Sequence, residues 1–200
     1  MTEDSQKPVV EATFGGEGWS PRTQSLGQEL GALWGDWGVG LEWAGLKAVL
    51  LHRPGPEIEG LAEPDKVQML APLDVDLFRR QYEGMVAAYE DASVEVHFVA
   101  PDGPVTPNNI FCADLFFMTP QGAILARPAS TVRAGEERNV AGRLAALDVP
   151  ILMSVHGNGT FEGADAVWIE DGTAIVATGL RTNEEGADQV EWVLRSIGAD

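Results

Sequence analysis

Cysteine is nearly absent from this chain. Cys112 is the single one in 200 residues, so no disulfide can form within it. Basic residues are scarce as well: 13 Lys and Arg stand against 31 Asp and Glu, a formal net charge of -18. That balance disfavours nucleic acid, whose phosphates are held through Lys and Arg. An anionic membrane surface would repel the chain for the same reason. No run approaches the ~20 apolar residues of a membrane span. The opening MTEDSQKPVV has neither the basic start nor the apolar stretch of a signal peptide. A cytoplasmic protein is the default expectation. His52, His97 and His156 are scattered, with no pair at helical or hairpin ligand spacing, so no metal site is expected. Gly15-Gly16-Glu17-Gly18 follows no strand and makes a poor phosphate loop. No cofactor is called for.

What is present is ordinary globular composition, 44% hydrophobic and 22% charged, enough for one sizeable core. The carboxylate excess could draw in a cationic ligand, although a surface charged for solubility is the simpler account. Residues 1–18 are polar and glycine-rich and read as a flexible N-terminal tail. The following segment carries Trp19, Trp34, Trp37 and Trp43 among glycines. It is expected to wrap the domain edge and bury those rings, a ligand-stacking platform being the alternative.

Beyond it the pattern is regular. Residues 46–51 read as a buried strand. Residues 74–90 read as a helix capped by Asp74, with Leu77, Phe78, Tyr82, Met85, Val86 and Tyr89 at helical spacing. Residues 94–99 alternate as a strand. A second unit runs as a hairpin over 115–118 and 123–127, a helix over 135–147 and a strand over 149–155. A third repeats it, with a hairpin over 166–169 and 173–178 turning at Asp171-Gly172, then a helix over 183–197. Ala113-Asp114 corresponds to Ala164-Asp165, and Arg133 with Glu136 and Glu137 to Arg181 with Glu184 and Glu185. Such units cannot bury both faces alone and stack around a centre. The third unit lacks a returning strand.

The chemistry-bearing residues lie at strand ends. Asp114 precedes an apolar strand, and Glu162 sits among small residues just before the equivalent strand. Pseudo-symmetry would bring both near one axis. Two carboxylates in a partly dry site suit a planar guanidinium; capping of turns is the structural alternative for Asp114 and Asp165. Arg133 and Arg181 precede helices and could bind an anion such as a carboxylate. Ion pairs with the glutamates three and four residues on are equally compatible. Asn183 or Thr182 would cap the last helix. His156 reads as a loop residue and Cys112, in an apolar run, as a small buried hydrophobe.

In order and spacing, Asn109-Ile110-Phe111-Cys112-Ala113-Asp114, Arg133 with Glu136, Glu162-Gly163-Ala164-Asp165 and Gly179-Leu180-Arg181-Thr182-Asn183 resemble the amidinotransferase, arginine deiminase and dimethylargininase superfamily of guanidine-modifying enzymes. The resemblance runs from about residue 46 onward. It implies an α/β pentein fold, a propeller of repeated ββαβ units around a central channel. About three of its five units are expected here, near 46–100, 110–155 and 162–200 of a partial domain spanning 19–200. It implies that Asp114 and Glu162 hold the guanidinium of a small substrate such as arginine, and that Arg133 and Arg181 bind its carboxylate. It implies attack by a cysteine thiolate on the guanidinium carbon, with a histidine shuttling protons, and release by water or an amine.

Two positions depart from the family pattern: Ala113 stands where arginine is usual, and Ala164 replaces the second glycine of Glu-Gly-Gly-Asp. The family's histidine belongs to the unit after Arg181 and its cysteine lies near the C-terminus. Neither position falls within these residues, so a truncated or split enzyme, inactive alone, is expected; loss of a nucleophile typically costs on the order of a million-fold in rate. Unpaired strand edges would invite self-association or a missing C-terminal chain. A non-catalytic guanidino-binding protein and a propeller subunit are the alternatives.

Overall fold

Strand β1 (Ala48–Leu51) and strand β2 (Glu95–Phe98) pair in parallel, Ala48 opposite Glu95 and Leu51 opposite Phe98. A parallel pair needs a crossover, and α2 (Val75–Asp91) supplies it; the preceding helix, α1, is the short Leu26–Glu29. These elements belong to the computed structural model, which describes residues 10–199. The first nine residues of the expected tail lie outside that range. Asp74 caps α2 as its sequence predicts, accepting the Leu77 N–H at 2.9 Å. Of the apolar set on α2, Phe78, Tyr82, Val86 and Tyr89 turn inward, at steps of three and four. Leu77 and Met85 fall off that stripe and are exposed.

The second unit is the complete one. Strand β3 (Phe116–Thr119) and strand β4 (Gly122–Leu125) form the expected hairpin, Phe116 opposite Leu125. The Thr119 hydroxyl closes the turn by donating to the Gly122 carbonyl at 2.8 Å. Helix α3 (Glu137–Ala146) returns the chain to β5 (Ile151–Ser154), which pairs in parallel with β4. With a neighbour on each edge, β4 is buried throughout. The third unit repeats the hairpin in β6 (Ala166–Glu170) and β7 (Thr173–Val176). Helix α4 (Glu184–Ser196) follows, capped by Asn183, whose side chain accepts the Gly186 N–H at 2.9 Å. Among the described residues no third strand joins β6 and β7.

Two cores flank the β3–β4–β5 sheet. Cys112, Leu115, Leu125, Val140, Leu144 and Val149 pack with Val99 of the first unit. Phe117, Ile124 and Val155 pack with Phe161, Trp168, Val190 and Val193 of the third. Leu125 and Ile124, adjacent on one strand, thus face opposite cores. Trp168 is the largest fully buried side chain; it stacks on Phe117 and donates its indole N–H to the Met118 carbonyl at 3.0 Å. The second and third units are also joined by reciprocal backbone hydrogen bonds between Arg127 and Phe161, each 3.0 Å.

The tryptophan segment corrects its expectation. It does wrap the edge: the Gly35 N–H reaches the Asp148 carbonyl at 2.9 Å and the Val39 N–H reaches the Thr119 carbonyl at 3.2 Å. Only Trp37 is anchored, donating to the Leu147 carbonyl at 2.7 Å and standing edge-on to His97. Trp19, Trp34 and Trp43 are exposed. Backbone hydrogen bonds at Gly35 and Val39, and not burial of these three rings, hold the segment to the edge. No helix among the described residues is long and apolar enough to cross a membrane.

Candidate functional site

Two short helical turns, Cys112–Asp114 and Gly163–Asp165, stand at the heads of β3 and β6. Each closes alike, the Asp114 N–H on the Phe111 carbonyl at 3.1 Å and the Asp165 N–H on the Glu162 carbonyl at 2.9 Å. They are the internal repeat seen as structure, and they touch. A Cβ on Gly163 would lie 2.1 Å from the Phe116 carbonyl oxygen and 2.5 Å from that of Ala113. Only a residue without a side chain allows this approach, which brings Glu162 beside Asp114.

Arg133 joins the two. It lies in the turn Thr131–Arg133, and its guanidinium is buried. One terminal nitrogen, Nη1, donates to Asp114 Oδ2 at 2.6 Å and lies 3.8 Å from Glu162 Oε2. Nε donates to Glu136 Oε2 at 2.8 Å. Nη2 reaches the Asn108 and Phe111 carbonyls at 3.3 and 3.4 Å. Paired arginine of this kind is the usual way to keep carboxylates buried. Arg181 approaches from the other side, its Nη1 lying 3.0 and 3.2 Å from the two Glu162 oxygens. Asp114, Arg133, Glu162 and Arg181 therefore form one chain of alternating charge, all four of the residues singled out from sequence.

The pairings differ between the repeats. Arg133 takes the glutamate three residues on. Arg181 takes neither Glu184 nor Glu185; Glu185 instead accepts the Asn158 N–H at 3.0 Å. Of the two cap candidates, Asn183 and Thr182, Asn183 fills the place. The buried Thr182 hydroxyl accepts the Glu162 N–H at 3.2 Å and donates to Asp165 at 2.5 Å, fixing the turn that carries Glu162. Thr106 donates to Glu136 and has the same bracing function on the other side. Neither hydroxyl carries a sequence signal beyond its place beside a motif.

Burial raises the Glu136 carboxyl above its usual range, opposed by the Thr106 hydroxyl and the Arg133 guanidinium. Burial lowers the proton affinity of Arg133, but the hydrogen bonds and charges of Asp114 and Glu136 outweigh it, for a net rise. Cys112 is buried, its thiol 3.4 Å from the Asn109 carbonyl. Burial first, then the Glu136 and Asp114 carboxylates, push the thiol up to about 12 against the pull of Arg133. It behaves as the buried small hydrophobe its sequence context suggests. His156 lies exposed in its loop and is not part of the cluster.

Residues 75–195, more than half the chain, match the family model described as N,N dimethylarginine dimethylhydrolase, eukaryotic. The chain belongs to this family. A search of curated proteins gave no significant match. Among solved structures, the dimethylhydrolase-family chain resembles a DDAH from Pseudomonas aeruginosa, a cysteine-to-serine mutant complexed with citrulline. That likeness has 23% identity and a TM-score of 0.66, and covers 78% of this chain and 59% of that one. It also resembles SxtG, an amidinotransferase from Microseira wollei in the saxitoxin biosynthetic pathway (16% identity, TM-score 0.59, 82% and 60% covered). A third likeness is to a mutant of AgrE in binary complex with L-arginine (18% identity, TM-score 0.60, 72% and 22% covered). The chain thus spans less than two thirds of the length of these proteins. Together the matches place it in the pentein superfamily of guanidine-modifying proteins, with an α/β pentein-like fold.

Proposed function

We propose that Glu162 and Asp114 hold the guanidinium of a small guanidino compound such as arginine, in a protein of the guanidine-modifying type. One observation carries this reading: Glu162, its side chain 2% exposed, already accepts a guanidinium on both oxygens. A buried carboxylate presented in this way suits a flat, delocalised cation with paired donors. Three carboxylates (Asp114, Glu136, Glu162) face two guanidiniums (Arg133, Arg181), so the fully ionised cluster keeps one negative charge. The family's chemistry, and the citrulline and L-arginine held by two relatives, support the same ligand class. Arg133 has every nitrogen committed inside the protein, so Arg181 is the arginine proposed to meet a ligand carboxylate.

The covalent step of the family would need a thiolate, and Cys112 does not fit: it is buried and protonated at neutral pH. We therefore read the three units as part of a larger five-unit ring, and this chain alone as binding without turnover. Among the described residues β7 pairs with β6 alone, whereas its counterpart β4 has a neighbour on each edge, which supports that reading. Titration calorimetry with L-arginine tests the binding. Glu162→Gln should weaken it at least about tenfold, the scale of a lost charged hydrogen bond. Binding that ignores Glu162→Gln would sink the reading, and citrulline produced by the purified chain would sink the inactivity.

A further inference from the structure

A groove of about 640 Å³ lies between the loop over 100–104, which leaves β2, and helix α3. Its size is that of a small-molecule site. Val140 and Leu144 turn one face of α3 into the core, and the groove runs along the other. Arg138 and Arg143 line it from the helix, and Asp102 from the loop. Between the two arginines stands Gly142, where a Cβ would meet nothing within 4 Å, so the floor stays open. Arg138 reaches across to the loop: a Cβ on Gly103, next to Asp102, would lie 3.3 Å from its Nη2. Arg143 is half-buried, and its Nε is shielded from solvent without a hydrogen-bond partner. Leaving such a donor unmet is costly. Among the described residues neither arginine side chain enters an ion pair or a hydrogen bond, although the chain has 31 acidic residues to 13 basic ones. Two like charges held on one groove without a counterion call for an anion from outside.

We propose that this groove is a second small-molecule site, and that its ligand is an acidic α-amino acid. Each guanidinium offers a planar fork to one carboxylate. Asp102 offers an acceptor to the ammonium. The groove brings two positive charges, Arg138 and Arg143, and one negative, Asp102. An acidic amino acid brings two negative charges and one positive, so every formal charge finds a partner. A plain dicarboxylate leaves Asp102 facing an anion with no cation of its own. A neutral amino acid leaves one guanidinium unmet. The site uses none of Asp114, Arg133, Glu162 and Arg181, so it stands or falls independently of the guanidino reading.

The test is titration calorimetry on the full chain with L-glutamate, L-glutamine and glutarate at one ionic strength. L-Glutamate should bind at least about tenfold more tightly than L-glutamine, which lacks the second carboxylate. It should bind at least about threefold more tightly than glutarate, which lacks the ammonium. Arg143→Gln should weaken L-glutamate by about tenfold. Arg138→Gln, at an exposed position where the fold is not at risk, should weaken it by about threefold or more. Asp102→Asn should weaken L-glutamate and strengthen glutarate, so that the order of the two reverses. Equal binding of the three ligands, or L-glutamate binding that ignores Arg138→Gln, overturns the assignment. So does binding that is lost in Arg181→Gln and kept in Arg138→Gln, which would put the anion at the Glu162 cluster. L-Glutamate that neither binds the wild-type chain nor raises its melting temperature overturns it as well.

Discussion

Arg133 and Asp114 meet at 2.6 Å across the interior, Nη1 to Oδ2, while the same guanidinium holds Glu136 through Nε at 2.8 Å. One side chain thus satisfies two carboxylates that come from different elements, and a third, Glu162, lies within 3.8 Å. Removing it leaves buried charge without compensation, which is far worse than never having had the pair. Arg133→Leu should cost about 3–5 kcal/mol of stability. Glu136→Gln, which keeps an acceptor for Nε and removes one buried charge, should cost clearly less. Urea unfolding followed by circular dichroism measures both. A loss below about 1 kcal/mol for Arg133→Leu would mean that the cluster is solvated and no frame for a ligand.

The closeness of the two repeat turns makes a second prediction. A methyl on Gly163 would sit 2.1 Å from one backbone carbonyl oxygen and 2.5 Å from another, and neither is the end of a flexible side chain. Gly163→Ala must push the turns apart, at a cost of more than about 2 kcal/mol, typical of strain in a packed interior. Gly179→Ala is the control, since a Cβ there meets nothing within 4 Å; its effect should stay within about 0.5 kcal/mol. Because Gly163 adjoins Glu162, L-arginine affinity should fall in the first variant and hold in the second. Equal melting temperatures for the two variants would contradict the close packing of the turns.

These residues also show what the sequence made legible. The caps Asp74 and Asn183 act through hydrogen bonds three residues away, a range that local pattern captures. The Asp171-Gly172 turn and the alternating hairpins are equally local. The repeat equates the Asp114 turn with the Asp165 turn, and pseudo-symmetry then sets Asp114 and Glu162 near one axis. Ion-pair spacing along the chain is right for Arg133, whose partner is three residues on, and misses the pairing of Arg181. Glu162 lies 19 positions earlier and is carried to Arg181 by tertiary packing, with Glu185 drawn off by Asn158. Thr182, the other cap candidate, turns its hydroxyl into the Glu162 turn instead, and a β-branched residue beside a cap residue gives no sign of which way it faces. The tryptophans failed differently. Large apolar rings signal burial on average, but three of the four stand exposed on this glycine-rich segment.

Cys112 gives the last prediction, and its sign can be worked out. The folded protein holds the thiol up at about 12, against 9.0 for an ordinary thiol, chiefly by burial. A group whose pKa is raised by folding contributes stability that is complete below its unfolded pKa and is lost as pH climbs through the folded one. The alkaline loss should therefore set in near pH 9 and run to about 12. Cys112→Ala should flatten the fall in urea midpoint over that interval, after the small cost of its lost packing. At mildly alkaline pH the native thiol should resist iodoacetamide and react promptly once urea unfolds the chain, because only the thiolate attacks. Rapid alkylation of the folded chain would show an exposed, ionised thiol, and would reopen Cys112 as a nucleophile.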